Sequence, residues 1–582
     1  MKNYKKVYAA FILAGGLILH GCNGIFDDLA INPNQPSMGA YFTSPSAVND
    51  AVMTMYGYMS TQRCLGASGS KTTIIRSDEA SSNSDYGKPG MFGADLNASY
   101  YTIEQPYTLM YTTASQASYI IETAPSVDFS GNEEMRNAYM GEAYFWRAFA
   151  HYYLLINFRN ISPIRQMPRN GDDYVRPLEK PAAVWDFIQE DLAHAKELLP
   201  VKGYWDSKNA GRVTKASAAA LLGKAYLYRS GIEQYYGEDK TTFYSEAAKE
   251  FGDVIDGKYG TYDLTKNYAD NFDVAHENNE ESILEFQFLG DVDNAGFKPG
   301  LATSGLAFDS RGLMLPGAGV GYEGVVHNWL YNAFVNSVDK DGYTDIRMFS
   351  TMIFNDLDAS IHLRNDAGGN PVRLEGPGGY KWEELYPAKN GKEGFATVSN
   401  PLAHSFKAGI RKGIDCSMPT QTEADGTPKL VGVGAGVKEY VYNQPRAHGV
   451  NWRYIRYADV LMMYAESVVS GGTPASNMTP LQAVNKVRGR ANMSELPSVT
   501  MADIQNERIL EFALEGHRFY DLLRWGKLAS RFTELQESDP NFKKFISADD
   551  FKGFVTNKHE WLPIPINEVN SNPYITENNP GY

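Results

Sequence analysis

The residues able to do chemistry are scattered along this sequence and form no catalytic motif. His276-Glu277-Asn278-Asn279-Glu280 brings a histidine beside a carboxylate, as a zinc-hydrolase helix does, but lacks the second histidine that would complete the metal site. Gly317-Ala-Gly-Val-Gly321 is rich enough in glycine to wrap a phosphate, yet has no lysine to meet the charge and no strand–helix setting, so it reads as a loop. Asp339-Lys-Asp-Gly-Tyr-Thr-Asp345 spaces carboxylates somewhat as a calcium loop does, and then offers no glutamate at the twelfth position. The pairs Glu383-Glu384 and Asp549-Asp550 are adjacent, whereas glycoside cleavage needs two carboxyls roughly 5–10 Å apart across a sugar. No cofactor or metal site is expected from these motifs. Distant carboxylates meeting in one cleft stay open.

The densest charge lies elsewhere, in residues 500–527. Thr500 and Asp503 have the spacing of an N-terminal capping box, which starts a helix there. Ile504, Ile509, Leu510, Phe512, Ala513 and Leu514 form an apolar stripe. Among them Glu507, Arg508, Glu511, Glu515, Arg518, Asp521 and Arg524 recur at spacings of three and four, which would let Arg508 meet Glu511, Glu515 meet Arg518 and Asp521 meet Arg524. Gly516 interrupts the run. Phe512, Phe519, Tyr520 and Trp525 are too dense among these ions for a free surface, which predicts ion pairs clamped at an internal helix junction. The string Glu507 to Lys527, ERILEFALEGHRFYDLLRWGK, closely resembles the C-terminal signature of the SusD/RagB family, outer-membrane lipoproteins that capture nutrients, mostly glycans.

The elements that must position these residues are helical. Gly141-Glu-Ala-Tyr-Phe-Trp-Arg147 recurs in altered form as Gly223-Lys-Ala-Tyr-Leu-Tyr-Arg229, small residues at fixed places beside bulky aromatics. That pattern suits stacked helix pairs and predicts a mostly α, tetratricopeptide-like scaffold. Helices are predicted over 45–59, 104–123, 133–158, 181–199, 214–229, 243–255, 328–335, 457–468 and 480–490. Residues 211–215, 456–466 and 484–490 again resemble SusD-family segments. So does the ending, Leu562-Pro-Ile-Pro-Ile566 through Asn572-Pro573, an extended strap in which proline forbids regular helix.

At the N-terminus, Lys2, Lys5 and Lys6 precede an apolar run from Val7 to Leu19, too short for a spanning helix, which needs about 20 residues. Residues 1–21 therefore read as a signal peptide. Leu19-His20-Gly21-Cys22 resembles a lipobox, with His20 an unusual occupant, so Cys22 is the expected lipidation site. Asp27 and Asp28 resemble the surface-export signal of SusD-like lipoproteins, which implies display on the outer membrane facing the exterior. Residues 22–44 then form a tether, and 45–582 one large domain. A net charge of −15 with no basic stripe disfavours nucleic acid, and disfavours broad contact with anionic lipid. Cys64 and Cys416 remain after lipidation, and whether they pair is left open.

Between about residues 282 and 453 glycine and proline accumulate, and short strand-like pieces such as 282–288 appear; loops this long are uncommon without a role. The resemblance implies that such loops, with residues 68–101, form the ligand face over the helical scaffold. A sugar needs an aromatic face to stack on and polar side chains to hydrogen-bond its hydroxyls. Asp78, Tyr86, Phe92, Asn97, Tyr100 and Tyr101 have suitable types in the first region; Tyr322, Trp329, Tyr380, Trp382 and Tyr386 have them in the second. The contacts expected to bind glycan are Asp78, Tyr86, Asn97, Tyr101, Tyr322, Trp329 and Trp382. The resemblance implies a non-enzymatic protein that passes oligosaccharide to a SusC-like TonB-dependent transporter. The RagB branch implies peptide as the alternative ligand.

Overall fold

The repeated heptapeptides show how the scaffold assembles. The computed structural model describes residues 42–61, 64–66, 69, 71–81, 92, 96–169, 171–288, 325–376, 381–385, 407–413, 424, 430–432, 438–440, 450–539 and 553–582. The expected signal peptide, Cys22, most of the tether, Tyr86, Tyr322, Tyr380, Tyr386 and Cys416 lie outside the described residues. The main helices are α1 (Pro45–Met59), α2 (Tyr101–Thr123), α3 (Glu133–Phe158), α4 (Pro181–Leu198), α5 (Lys215–Tyr236), α6 (Tyr244–Ile255), α7 (Asn328–Val335), α8 (Tyr457–Val469), α9 (Pro480–Arg490), α10 (Met501–Phe512), α11 (Arg518–Arg524), α12 (Leu528–Ser538) and α13 (Ile566–Ser571). Neighbours in the series α1–α2–α3–α4–α5–α6 pack on one another, and α6 continues onto α8 and α8 onto α9. Consecutive stacking of this kind is the tetratricopeptide-like array expected from the repeat.

Both repeat glycines sit where another chain segment comes too close for a side chain. A Cβ on Gly141 would lie 2.9 Å from the Leu199 backbone nitrogen, and one on Gly223 would lie 2.7 Å from the Phe251 ring. Both repeat arginines turn toward α4. Arg147 grips Asp191 with two hydrogen bonds of 2.7 Å, and Arg229 reaches Asp186 at 2.6 Å and Gln189 at 2.8 Å. The motif thus fixes α3 and α5 against the helix between them. The helices α3, α5 and α8 are buried on nearly every side, with Trp146, Tyr152, Tyr228 and Tyr464 in the core.

Eight short strands join distant parts of the chain: β1 (Ala80–Ser81), β2 (Ser282–Phe286), β3 (Val325–Val326), β4 (Met352–Phe354), β5 (Ala408–Ile410), β6 (Leu430–Gly432), β7 (Lys438–Tyr440) and β8 (Trp452–Arg456). The order β1-β3-β5-β4 forms one antiparallel sheet, with Ala80 opposite Val326 and Met352 opposite Ile410. β2 pairs with β8, Ser282 opposite Arg456 and Phe286 opposite Trp452, and β6 pairs with β7. The strap is extended only over Leu562 to Pro565, where Leu562 donates to the Asn157 carbonyl at the end of α3 at 2.7 Å. The expectation of an extended course on to Asn572 is corrected, because Ile566–Ser571 coil into α13, with Pro565 just before the helix, where its missing N–H costs nothing. Among the described residues no helix is long and apolar enough to cross a membrane.

The charged segment departs from one expectation. The capping box forms, Thr500 and Asp503 bonding reciprocally. The helix then stops at Phe512, and a turn through Leu514 (φ 62°) and Gly516 (φ 85°) leads into α11. Asp521 pairs with Arg524 as spaced, at 2.8 Å. Glu511 instead meets Arg347, Arg456 and Arg490, Arg508 meets Asp459 and Asp521, and Arg518 meets Asp78. These groups are buried, so each ion is neutralised by whatever opposite charge the fold brings to its buried side, and sequence neighbours lose that competition.

Candidate functional site

The turn between α10 and α11 is held from several segments of the chain. Leu514 is a branched residue in left-handed backbone, a costly conformation. It is fixed by its N–H, which donates to the Glu79 carboxyl at 2.8 Å. Lys412, just past β5, donates to the Ala513 carbonyl at 2.9 Å and to the Glu515 carboxylate at 2.8 Å, and the Tyr268 hydroxyl donates to the Glu511 carbonyl at 2.7 Å. The Trp452 indole donates to the Glu515 carbonyl at 3.3 Å and lies over Gly516, where a Cβ would come 3.4 Å from the ring and 3.0 Å from the Thr73 hydroxyl.

Above this turn Thr73, Ile74, Phe272, Gly413, Val450 and Trp452 surround a shallow pocket of about 40 Å³. A pocket for a small ligand has about 300–1,000 Å³, and one water takes up about 30 Å³. The described residues therefore supply a floor and no complete binding site. Its polar groups are directed into the protein. Asn451 accepts from the Phe288 N–H at 2.6 Å and donates to Glu285 at 2.8 Å, and Arg453 pairs with Glu285 at 3.2 Å. Burial brings Lys412 down to about 8 despite the nearby Glu515. What the floor offers a ligand is mainly the half-buried rings of Phe272 and Trp452.

The expected contact residues are not gathered here. Asp78 is fully buried and is corrected to a structural anchor: its carboxylate receives Arg518 at 2.9 Å and Arg531 at 2.7 Å. Burial works to raise its pKa, and the two arginines outweigh that and leave it lowered. Trp382 is 5% exposed and is likewise corrected, because a ring enclosed in the core cannot stack on a sugar. Trp329 is half-buried, with the Arg531 guanidinium 4.3 Å from its ring centre and its indole N–H donating to the Asp78 carbonyl. Asn97 is exposed and accepts from the Ser99 N–H at 2.9 Å. Tyr101 is 39% exposed at the start of α2, its ring 5.1 Å from that of Tyr100. Phe92 is buried between Phe532 and His559.

The loop Asp339 to Asp345 has its carboxylates satisfied by the protein's own groups. Arg364 pairs with Asp339, Asn492 donates to Asp341 at 2.7 Å, and Arg347 pairs with Asp345 at 2.7 Å. A calcium-loop reading therefore fails on the donors as well as on their spacing. Phe272 and Trp452 were missed in the sequence. The signal for Trp452 was present in Trp-Arg-Tyr-Ile-Arg, an alternation that reads as a strand leading into Arg456-Tyr-Ala-Asp459.

Two family profiles match the chain: the SusD family over residues 422–582, and a family described as starch-binding and associating with the outer membrane over residues 31–227. The chain belongs to the SusD/RagB family. A SusD-like protein of Bacteroides ovatus is 25% identical over 90% of this chain and 83% of its own length. Among solved structures, a SusD superfamily protein from Bacteroides vulgatus superposes with a TM-score of 0.67 at 22% identity, covering 93% of this chain and all of that one. Surface glycan-binding protein A from Bacteroides thetaiotaomicron, solved in complex with laminarihexaose, has a TM-score of 0.65 at 19% identity over 92% of this chain and all of that one. At these identities the structural likeness is one of fold. It agrees with the SusD reading of the helical array and the C-terminal turn.

Proposed function

We propose that this SusD-family chain is a cell-surface lipoprotein that binds glycan without cleaving it and delivers oligosaccharide to a SusC-like TonB-dependent transporter. The observation that carries the reading is family membership at both ends of the chain, joined to a shared fold with a protein solved holding laminarihexaose. In this reading residues 1–21 direct export, Cys22 carries the lipid, residues 22–44 are the tether, and 45–582 the binding domain. The Phe272 and Trp452 rings form the base of the ligand face, and Asn97 and Tyr101 remain as exposed contacts. Trp329, with one side under Arg531, serves as an edge contact.

Affinity electrophoresis and calorimetry against polysaccharides, their oligosaccharides and mixed peptides test this. The expected result is saturable glycan binding without product release, weakened about tenfold or more by Trp452→Ala, the loss of one stacking platform being worth on the order of 1–2 kcal/mol. Binding confined to peptides would favour the RagB-like alternative, and turnover of any glycan would sink the non-enzymatic reading. Incorporation of labelled palmitate that disappears in Cys22→Ala checks the anchor. Co-purification with a TonB-dependent transporter from the native membrane checks the partner.

A further inference from the structure

A second cavity, sharing no lining residue with the loop-face floor, lies between α2, the loop joining α3 to α4, and α13. Its volume is about 370 Å³, within the range of small-ligand pockets and far beyond the voids that close packing leaves. Tyr107 and Tyr111 are among its lining residues, and the Tyr111 hydroxyl accepts the Ser162 N–H at 3.1 Å. Thr108 and Thr112 add exposed hydroxyls from α2.

Arg176 and Glu568 also line the cavity, and they do not pair with each other. Among the described residues Arg176 forms no ion pair, and its guanidinium makes one long hydrogen bond, 3.4 Å to the Pro163 carbonyl. Glu568 accepts from the Asn572 amide at 3.0 Å, and its other carboxylate oxygen has no partner among the described residues. Asp173 lines the cavity as well, its carboxylate accepting the Arg169 N–H at 2.7 Å, and carboxylates and a guanidinium held apart across a space this size favour a neutral ligand that both donates and accepts. An anion would meet Glu568, and a cation would meet Arg176. Vicinal hydroxyls suit a guanidinium and a carboxylate together, each able to bond two neighbouring oxygens. Exposed aromatic rings lie nearby. Tyr101 shares the stripe of α2 that carries Thr108 and Thr112, about 10 Å up the helix from Thr108, and Tyr574 is 58% exposed two residues past Asn572.

We infer that this cavity is a second sugar site, taking one or two neutral pyranose units through Arg176 and Glu568. The inference rests on the glycan-binding reading for its ligand class, and it assigns a location that reading does not. The full-length protein in detergent is tested with methyl glycosides, maltose and cellobiose by calorimetry and saturation-transfer NMR. In parallel, polysaccharide retention is read by affinity electrophoresis. Read in a Trp452→Ala background, so that the loop face contributes little, the expected result is remaining disaccharide binding that Arg176→Ala and Thr112→Trp, which fills the cavity, each weaken at least tenfold. Disaccharide binding abolished by Trp452→Ala alone would place the sugar at the loop face and overturn the second site. No binding by any sugar of the panel, or binding only of dipeptides added in its place, would overturn it as well. Absence of polysaccharide retention bears on the main function separately, because that measurement does not depend on Arg176 or Thr112.

Discussion

Adjacent acidic residues in this chain have opposite states. Asp78 is held ionised by Arg518 and Arg531, whereas burial pushes Glu79 up to about 8, so it is protonated at neutral pH. Because the unfolded chain releases that proton near pH 4.3, the folded state binds more protons between about 4.3 and 8. Stability then falls with rising pH over that window by about 1.4 kcal/mol per unit. Glu79→Gln, which mimics the protonated acid, is expected to match the parent at pH 4 and exceed it at pH 8 in urea denaturation. Glu511 has the reverse sign. Burial would raise it, but Arg490, Arg456 and Arg347 bring it down to about 2, so its contribution is complete above the unfolded value and is lost as pH falls toward 2. Arg456, fully buried, meets Glu281 at 2.7 Å, Glu511 at 2.6 Å and Glu515 at 2.9 Å. Arg456→Met would leave three carboxylates short of a counter-charge, for an expected loss of about 3–5 kcal/mol in the same assay. That these ions are buried and paired was legible from the aromatic density around them. Which ion meets which was not, because Arg347 and Arg456 belong to segments far from residues 507–524 in sequence.

At the scale of elements, the helices were the most legible part. The limits of α1, α3 and α9 agree with the sequence reading because Ser44, Asn132 and Thr479 cap them, and proline opens α1 and α9. α5 runs two turns beyond its expected end at Arg229, since Ile232 and Glu233 are buried and Glu233 receives Arg159 at 2.5 Å. The site was less legible for a related reason. Residue type alone put Asp78 and Trp382 on a ligand face, and burial, which depends on long-range packing, removes both. The small residues in the helical repeat give a direct test. Gly223→Ala pushes a methyl into the Phe251 ring, and Gly141→Ala pushes one into the Leu199 backbone. Each is expected to lower stability by about 1–3 kcal/mol, read as a shift in urea midpoint without a change in slope. An alanine at Gly57, where nothing lies within 4 Å, is the control and should be neutral or slightly stabilising.

Across the whole molecule, the long reach of the ion pairs has a consequence for how the chain is made. Asp78 meets Arg518 and Arg531 across 440 and 453 residues, and Arg76 donates to the Glu560 carbonyl across 484. A chain emerging from its N-terminus has Asp78 in hand long before its counter-charges exist. Closing loops of that length is a late and slow event, since its entropic cost must be met before the contact forms. The helical array from α1 to α6 is local and is expected to assemble early, while the segment 71–81 waits. A chain truncated at residue 500 should therefore keep much of its far-ultraviolet helical signal while losing cooperative unfolding. Its first site of proteolysis should be the unsheltered stretch around Asp78. Early release of nascent chains would then yield a partly ordered, protease-sensitive product, and only synthesis through Glu560 closes the molecule.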